Sequence, residues 1–395
     1  MVKVLLAHNQ YQQPGGEDQV FAAEAALLEA RGHQVIRYSV HNEQVLDMNR
    51  LDLAKATVWN SSSYRNMREF VRRERPQVAH FHNTLPLISP AAYYAAEVEG
   101  VPVVQTLHNY RLICPGSLLF RNGRVCEDCL GKTLPWPAGV HACYRQSRVA
   151  TGAVSAMLVA HRAVHTWTER VGVYIALTDF ARAKFVEGGL PAEKIVVKPN
   201  FIDPDPGLGE GRGDYVLFVG RLSQEKGINT LLEAWRHLGE KVHLKLVGDG
   251  PLAPKVAEAA RRLKKVEWLG RQPQERVLAL MRDARALLFP SVCYENAPMV
   301  IAEAYAVGLP VIASDLGSMS SLVSHGHTGL HFRPGDPKDL SDRVEWALQH
   351  PAELERMRGG ARAEFEAKYT AEENYRMLME IYELVVNKAG TQLYV

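Results

Sequence analysis

No stretch of this sequence stays apolar long enough to cross a membrane. The nearest, Ala150–Ala160, is broken by His161 and Arg162, whereas a spanning helix needs about 20 apolar residues. The amino terminus, MVKVLLAHNQ, has too short an apolar run for a signal peptide and reads as a first strand. A cytoplasmic chain is expected. Cysteine is scarce, five in 395 residues, and in a reducing compartment those thiols are expected to be reduced or metal-bound. Neither sign of charge dominates: 46 Lys and Arg face 44 Asp and Glu, a net +2. No nucleic-acid footprint follows from that balance, so no nucleic-acid partner is expected. No internal repeat is evident. What is present is ordinary for a soluble protein, 47% apolar and 23% charged, and the length suggests two or three domains, each with its own core.

Short apolar strands alternate with amphipathic helices throughout, the signature of doubly wound parallel sheets. Expected strands in the first half are Val2–Ala7, Gln34–Tyr38, Val78–His82, Val103–Leu107 and Tyr174–Leu177, with helices such as Val20–Ala30 between them. DPDPGLGEGRG, residues 203–213, is rich in Pro, Gly and charge and reads as a linker. A second α/β series begins at Tyr215–Val219 and continues through Val242–Val247, Val266–Leu269, Ala286–Phe289 and Val311–Ala313. The expected division is a first domain over 1–202, with a cysteine-bearing insert at about 110–147, a second domain over 214–370, and a closing helix over 371–395.

The densest chemistry lies in SVCYENAPMVIAEAYAVG, residues 291–308. An apolar strand precedes it, and Gly308-Leu-Pro310 stops the helix that it begins. Pro298 suits a first helical turn. The helix N-terminus therefore faces the loop carrying Glu295 at the carboxyl end of a strand, where ligands bind in open α/β sheets. Free amides there favour a phosphate, and Glu303, about a turn and a half into the helix, can accept bonds from sugar hydroxyls. This is a site shaped for a nucleotide sugar.

The spacing Glu295-x7-Glu303, with Pro298 and the following GLPVIASDLGSMSSLV, resembles the retaining glycosyltransferases of family 4. That resemblance implies the GT-B fold, two Rossmann-like domains with parallel sheets facing an interdomain cleft, and a last helix that crosses back to the first domain. It also implies Asn296, Ala297, Pro298 and Met299 as donor-binding residues beside the two glutamates. Val219-Gly-Arg-Leu-Ser-Gln-Glu-Lys-Gly227 carries every letter of the family's G-R-L-x-x-x-K-G. Arg221 and Lys226 are then expected to stabilise the departing nucleoside diphosphate without a catalytic metal; two solvated cations on a loop are the structural alternative. Gly248-Asp-Gly250-Pro resembles the family's turn near the nucleotide base. Gly15 and Gly16 permit positive φ and close approach of amides to a phosphate or sugar, and match the family's glycine-rich first loop; a plain tight turn is the alternative. Glu17 and Asp18 read as exposed acids that complement a helix start.

His108, at the end of a strand, is expected beside the donor sugar on the strength of the resemblance, and His82 is a weaker candidate. Thr178, Arg182 and Lys198–Asn200 look like family segments lining the cleft, although Phe201 stands where a glycine is common. The implied mechanism is front-face transfer with retention: Glu303 holds ribose hydroxyls, Glu295 sugar hydroxyls, and Arg221 with Lys226 the diphosphate. Asp203-Pro-Asp205 fits a metal-binding D-x-D pattern but reads as loop. Donor candidates are UDP-, GDP- and ADP-sugars, and acceptors a glycan or lipid-linked glycan, as in surface polysaccharide synthesis. A nucleotide-sugar epimerase and a non-catalytic zinc-stapled binding protein are the competing readings.

Cys114, Cys126, Cys129 and Cys143 surround a Cys-x-x-Cys core and can close a structural zinc site, with His141 able to replace one of them; reduced thiols and disulfides are the alternatives. Cys293 reads as a buried thiol. Tyr64–Arg75 (YRNMREFVRRER) suits a helix in peripheral contact with the anionic inner face of a cell membrane, or else a solvated helix face.

Overall fold

The computed structural model describes residues 1–12 and 15–392, with side chains through residue 388. Gln13 and Pro14 of the first glycine loop lie outside the described residues, as do 393–395. The chain forms two compact units. The first contains Met1–Leu119, Glu127–Pro199 and the stretch from Asn374 onward; the second contains Phe120–Cys126 and Asn200–Glu373.

In chain order the strands begin with β1 (Lys3–Gln10), β2 (Gln34–His41), β3 (Val78–Asn83) and β4 (Val103–Leu107). A small antiparallel hairpin follows, β5 (Phe120–Arg121) and β6 (Arg124–Val125), which groups with the second unit. The first unit resumes with β7 (Val173–Ala176) and β8 (Ile195–Val197). Its six strands pair in parallel in the order β2-β1-β3-β4-β7-β8. All residues of β4 and β7 are buried, because helices cover both faces of a parallel sheet, while edge strand β2 is half exposed. The helix Ala371–Gln392 joins this unit from Asn374 onward, where the Asn374 Nδ2 donates to Pro199 O at 3.1 Å.

The second unit repeats the plan with β9 (Tyr215–Val219), β10 (His243–Val247), β11 (Val266–Trp268), β12 (Leu287–Phe289), β13 (Val311–Ser314) and β14 (Gly329–Phe332). The strands run parallel in the order β11-β10-β9-β12-β13-β14. Strand alternation divides the core: Val216 and Phe218 of β9 pack with Trp235 on one face, and Tyr215 and Leu217 with Phe289 and Tyr305 on the other. Both sheets are the doubly wound Rossmann-like type expected. Strand order reverses between β1 and β3 and between β9 and β12, and the crevice at such a reversal is where ligands bind in open α/β sheets.

The expected linker is fastened to the second unit. The Gly209, Gly211 and Gly213 amides donate to the carbonyls of Val307, Arg282 and Asp283 at 3.0, 2.9 and 2.8 Å. The Asp205 carboxylate pairs with Arg362 at 2.6 Å, which holds its acid strength above the usual. The Asp203-Pro-Asp205 run is thus loop, with Asp205 engaged structurally.

Candidate functional site

In the second unit the loops after β9, β10 and β12 meet at the strand-order reversal. A Cβ on Gly248 would lie 1.9 Å from Gly220 O, so glycine at φ +136° lets the β9 and β10 loops touch backbone to backbone. Gly250 packs in the same way on Leu222, whose carbonyl would lie 2.7 Å from an added Cβ. Gly227, at φ +71°, occupies the N-cap of the helix Ile228–Leu238, and an added Cβ would fall 1.8 Å from Pro290 O. These close approaches deliver Lys226 to the β12 loop, where its Nζ lies 2.6 Å from Glu295 Oε1.

The same Glu295 oxygen accepts a hydrogen bond from Ser291 Oγ and a long one from Cys293 Sγ at 3.8 Å. Burial is the strongest single influence and pulls the Lys226 ammonium down, but Glu295 together with the other acidic groups nearby outweighs it and the net shift is upward, so Lys226 stays charged. Burial, reinforced by Glu295, pushes the Cys293 thiol well up and keeps it protonated. Pro298 caps the helix Met299–Ala306; the Ile301 amide donates back to Pro298 O at 3.1 Å, while the amides of Met299 and Val300 come too early in the helix for a partner within it. Asn296, Ala297 and Met299 are half-buried around that cap, with Ala297 O accepting from Asn200 Nδ2 at 3.4 Å. Glu303 is the fifth residue of the helix and takes a hydrogen bond from Gln274 Nε2 at 2.7 Å. Burial raises its pKa, and the Gln274 bond only partly offsets this. Arg221 is exposed and makes no ion pair among the described residues. Among those residues the site therefore holds one free cation, one cation paired to a carboxylate, and a buried carboxyl one helical turn behind an amide-rich helix end.

The first unit gathers a different set. His108 Nε2 lies 2.9 Å from His82 Nδ1. Burial first, and His82 second, hold the His108 imidazole well below its usual pKa and so neutral. His82 and His108 line a small pocket with Thr84, Arg111, Tyr144 and Arg145. Leu85, Pro86 and the last three of those residues also line a larger apolar slot of about 380 Å³ beside it, between the helices Arg50–Val58 and Arg148–Ala163.

The glycine-rich first loop differs from expectation. Gly15 is extended at φ −124°, and its amide donates to Asp18 Oδ2 at 2.8 Å, while Gly16 begins the helix Gly16–Ala30. Glu17 and Asp18 are not solvated acids. Glu17 accepts from Tyr11 OH at 2.8 Å and Asn109 Nδ2 at 2.6 Å, and Asp18 sits 3.0 Å from His8 Nε2. Local pairing satisfies them where spacing alone gave only a helix-start role.

Thr178 caps the helix Asp179–Glu187, and Arg182 donates to the carbonyls of Ile195 and Ala192. None of the five cysteines is in a disulfide among the described residues. Cys114 and Cys143 flank Gly116 in the first unit, and Cys126 groups with the second. In Ser61–Glu74, the helix read as a membrane contact, Met67 and Val71 are buried, and Arg68 and Arg72 bind Glu99 at 2.7 and 2.8 Å. No helix among the described residues is long and apolar enough to cross a membrane.

Residues 205–364 match the family described as glycosyl transferases group 1, and residues 14–206 that described as glycosyltransferase family 4. D-rhamnosyltransferase WbpZ from Pseudomonas aeruginosa is 33% identical over 161 residues, 40% of this chain and 42% of the relative. Phosphatidyl-myo-inositol mannosyltransferase from Mycobacterium leprae is 30% identical over 235 residues, 57% of this chain and 62% of the relative. The chain spans about half the length of the curated relatives it matches. Among solved structures, Anabaena Alr3699/HepE in complex with UDP-glucose aligns with a TM-score of 0.66 at 17% identity, covering 98% of this chain and 99% of that one. A glycosyltransferase from Rickettsia africae ESF-5 aligns with a TM-score of 0.71 at 16% identity, covering 97% and 99%. At such identities the likeness is one of fold.

Proposed function

The chain belongs to the group 1, family 4 glycosyltransferases, and from that premise we propose that it transfers a sugar from a nucleotide-sugar donor to a glycan or glycolipid acceptor, with retention and without a catalytic metal. The observation that carries this reading is the Lys226–Glu295 pair, held beside exposed Arg221 and buried Glu303 at the strand-order reversal of the second unit. Arg221 and Lys226 answer the charge that develops on a departing diphosphate. The open amides of Met299–Ala306 add partial positive charge to the same end. Glu303, steadied by Gln274, accepts from ribose hydroxyls, and Glu295 faces sugar hydroxyls while anchoring Lys226. His108 receives a hydroxyl in the pocket of the first unit.

UDP-glucose in the complex with Alr3699/HepE supports a uridine diphosphate donor as the first to try. Surface polysaccharide synthesis fits relatives such as the amylovoran biosynthesis glycosyltransferase AmsK. Peripheral contact with an anionic membrane would rest on the outward arginines of Ser61–Glu74, because its apolar residues Met67 and Val71 are already buried. A structural zinc on Cys114, Cys126, Cys129 and Cys143 is part of the proposal on the chemistry of the Cys-x-x-Cys core.

The test is nucleoside diphosphate release from UDP-, GDP- and ADP-sugars with mixed glycan and lipid acceptors. Release from one donor that survives chelation and is lost in Glu303→Ala is expected. Folded protein that neither binds nor turns over any donor overturns the reading.

A further inference from the structure

Glu24, His80 and His82 bring a carboxylate and two imidazoles within ligand distance of one another, all buried. The cluster is poorly suited to a metal. His80 spends both ring nitrogens, Nδ1 on Tyr382 OH at 2.9 Å and Nε2 on Thr106 Oγ1 at 2.7 Å. The Glu24 carboxylate is already held by the buried Lys198 ammonium at 2.6 Å. A cation there would face an ammonium and find one free imidazole.

The same atoms form a directed chain that ends at His108. Lys198 Nζ donates to Glu24 Oε1. The other oxygen, Oε2, lies 3.2 Å from His82 Nε2, a charge contact short of hydrogen-bond alignment, and neither of those two atoms has a hydrogen-bond partner elsewhere. His82 Nδ1 meets His108 Nε2 at 2.9 Å. Polarity then propagates by elimination. A carboxylate only accepts, so His82 Nε2 carries the proton. Glu24 and Lys198 balance each other, and a second buried positive charge on His82 would have no counterion. His82 Nδ1 is therefore bare and accepts from His108, which carries its own proton on Nε2. His108 Nδ1, which makes no hydrogen bond among the described residues, is left as an acceptor on a residue that lines the small pocket.

We propose that Glu24 and His82, with Lys198 behind them, are positioning residues that fix His108 in the tautomer whose bare Nδ1 accepts a hydrogen bond from a hydroxyl of a bound sugar. This rests on the transferase reading for its consequence in turnover, although the tautomer itself does not. Hydrogen-bond chains from a carboxylate through one imidazole commonly set the tautomer of a working histidine; here two imidazoles lie in series.

The experiment is a long-range ¹H–¹⁵N correlation spectrum of the full chain labelled with [¹⁵N]histidine, with signals assigned from the spectrum of His108→Gln. His82 and His108 are both expected to be protonated at Nε2 in the unaltered protein. Glu24→Gln, whose amide oxygen faces Lys198 and whose NH₂ faces His82, is expected to invert both to Nδ1-protonated. It should lower kcat about tenfold or more with the donor KM largely unchanged. A proton on Nδ1 of either histidine in the unaltered protein overturns the proposal, whether or not Glu24→Gln folds. Inverted tautomers with unchanged kcat overturn the positioning role. If the tautomers are as expected and no donor is turned over by the unaltered protein, the transferase reading falls and the relay stands.

Discussion

Replacing Glu295 with glutamine keeps the shape of the β12 loop and removes the charge opposite Lys226. The two side chains are 12% and 25% exposed, so the pair lies nearer the buried case than the solvated one. A solvated pair contributes about 0–1 kcal/mol, and stranding one partner of a buried pair costs about 3–5 kcal/mol. The amide oxygen of the introduced glutamine can still accept from Ser291, so Glu295→Gln should cost about 2 kcal/mol, below that buried range. That corresponds to about 4–8 °C in the melting of a unit of this size. Lys226→Met should cost less, because the stranded Glu295 keeps its Ser291 and Cys293 bonds. The double variant should be more stable than the sum of the two losses, since the atoms are in contact. Activity should separate the roles. Lys226→Met loses about 10²–10³ in kcat, as removing a preorganised charge from a leaving group does, whereas Glu295→Gln loses less in kcat and raises the donor KM. Scanning calorimetry of the four proteins, paired with nucleoside diphosphate release, measures both. Additive losses in stability, or a Lys226→Met enzyme within about tenfold of the parent, would refute the reasoning.

Arg221 is exposed and unpaired among the described residues, so Arg221→Ala should leave the melting temperature unchanged while weakening binding of nucleoside diphosphate about tenfold by titration calorimetry. Burial raises Glu303 above an ordinary 4.5, so the folded chain binds its proton over a window in which the unfolded chain has lost it. In that window acidification stabilises the second unit and weakens donor binding, because the protonated acid loses acceptor capacity; Glu303→Gln should flatten both pH profiles. Glu24 has the opposite sign. Burial opposes its ionisation, but Lys198 and the histidines hold it well below 4.5, so its contribution is complete above 4.5 and lost as pH falls below that, which unfolding curves of Glu24→Gln against the parent will show. Metal analysis should find one zinc per chain, lost in a Cys126→Ser, Cys129→Ser double variant; a metal-free and fully stable parent refutes the zinc reading.

Periodicity and turn chemistry were enough to place ten of the twelve strands of the two sheets, because each is a local run of buried apolar residues bounded by Gly, Pro or polar loops; the edge strands β8 and β14, three and four residues long, gave no such run. Glu295, Glu303, Arg221 and Lys226 were legible for a related reason: they stand at fixed offsets from strand ends. The partners of those residues were not. Gln274 reaches Glu303 from 29 residues away and Lys198 reaches Glu24 from 174, distances over which spacing carries no information. Glu24 did leave one trace, a glutamate on the same side of its helix as Val20, Phe21 and Leu28, all buried. A charge on a buried stripe implies a buried counter-charge. The hairpin Phe120–Val125 was unreadable as part of the second unit, since its two-residue strands are too short to show a pattern.

The stitching of residues 205–213 onto the second unit changes where that unit can be cut. Composition marks DPDPGLGEGRG as a flexible tether and a natural target for a protease. Three of its glycine amides and the carboxylate of Asp205 are instead committed to Val307, Arg282, Asp283 and Arg362, and a side chain at Gly209 would strike the backbone of Arg282 at 2.4 Å. Cleavage there must wait for the strap to lift, so its rate reports local unfolding rather than exposure. A fragment that begins at 214 leaves four anchoring points empty, whereas one that begins at Asn200 carries its own strap.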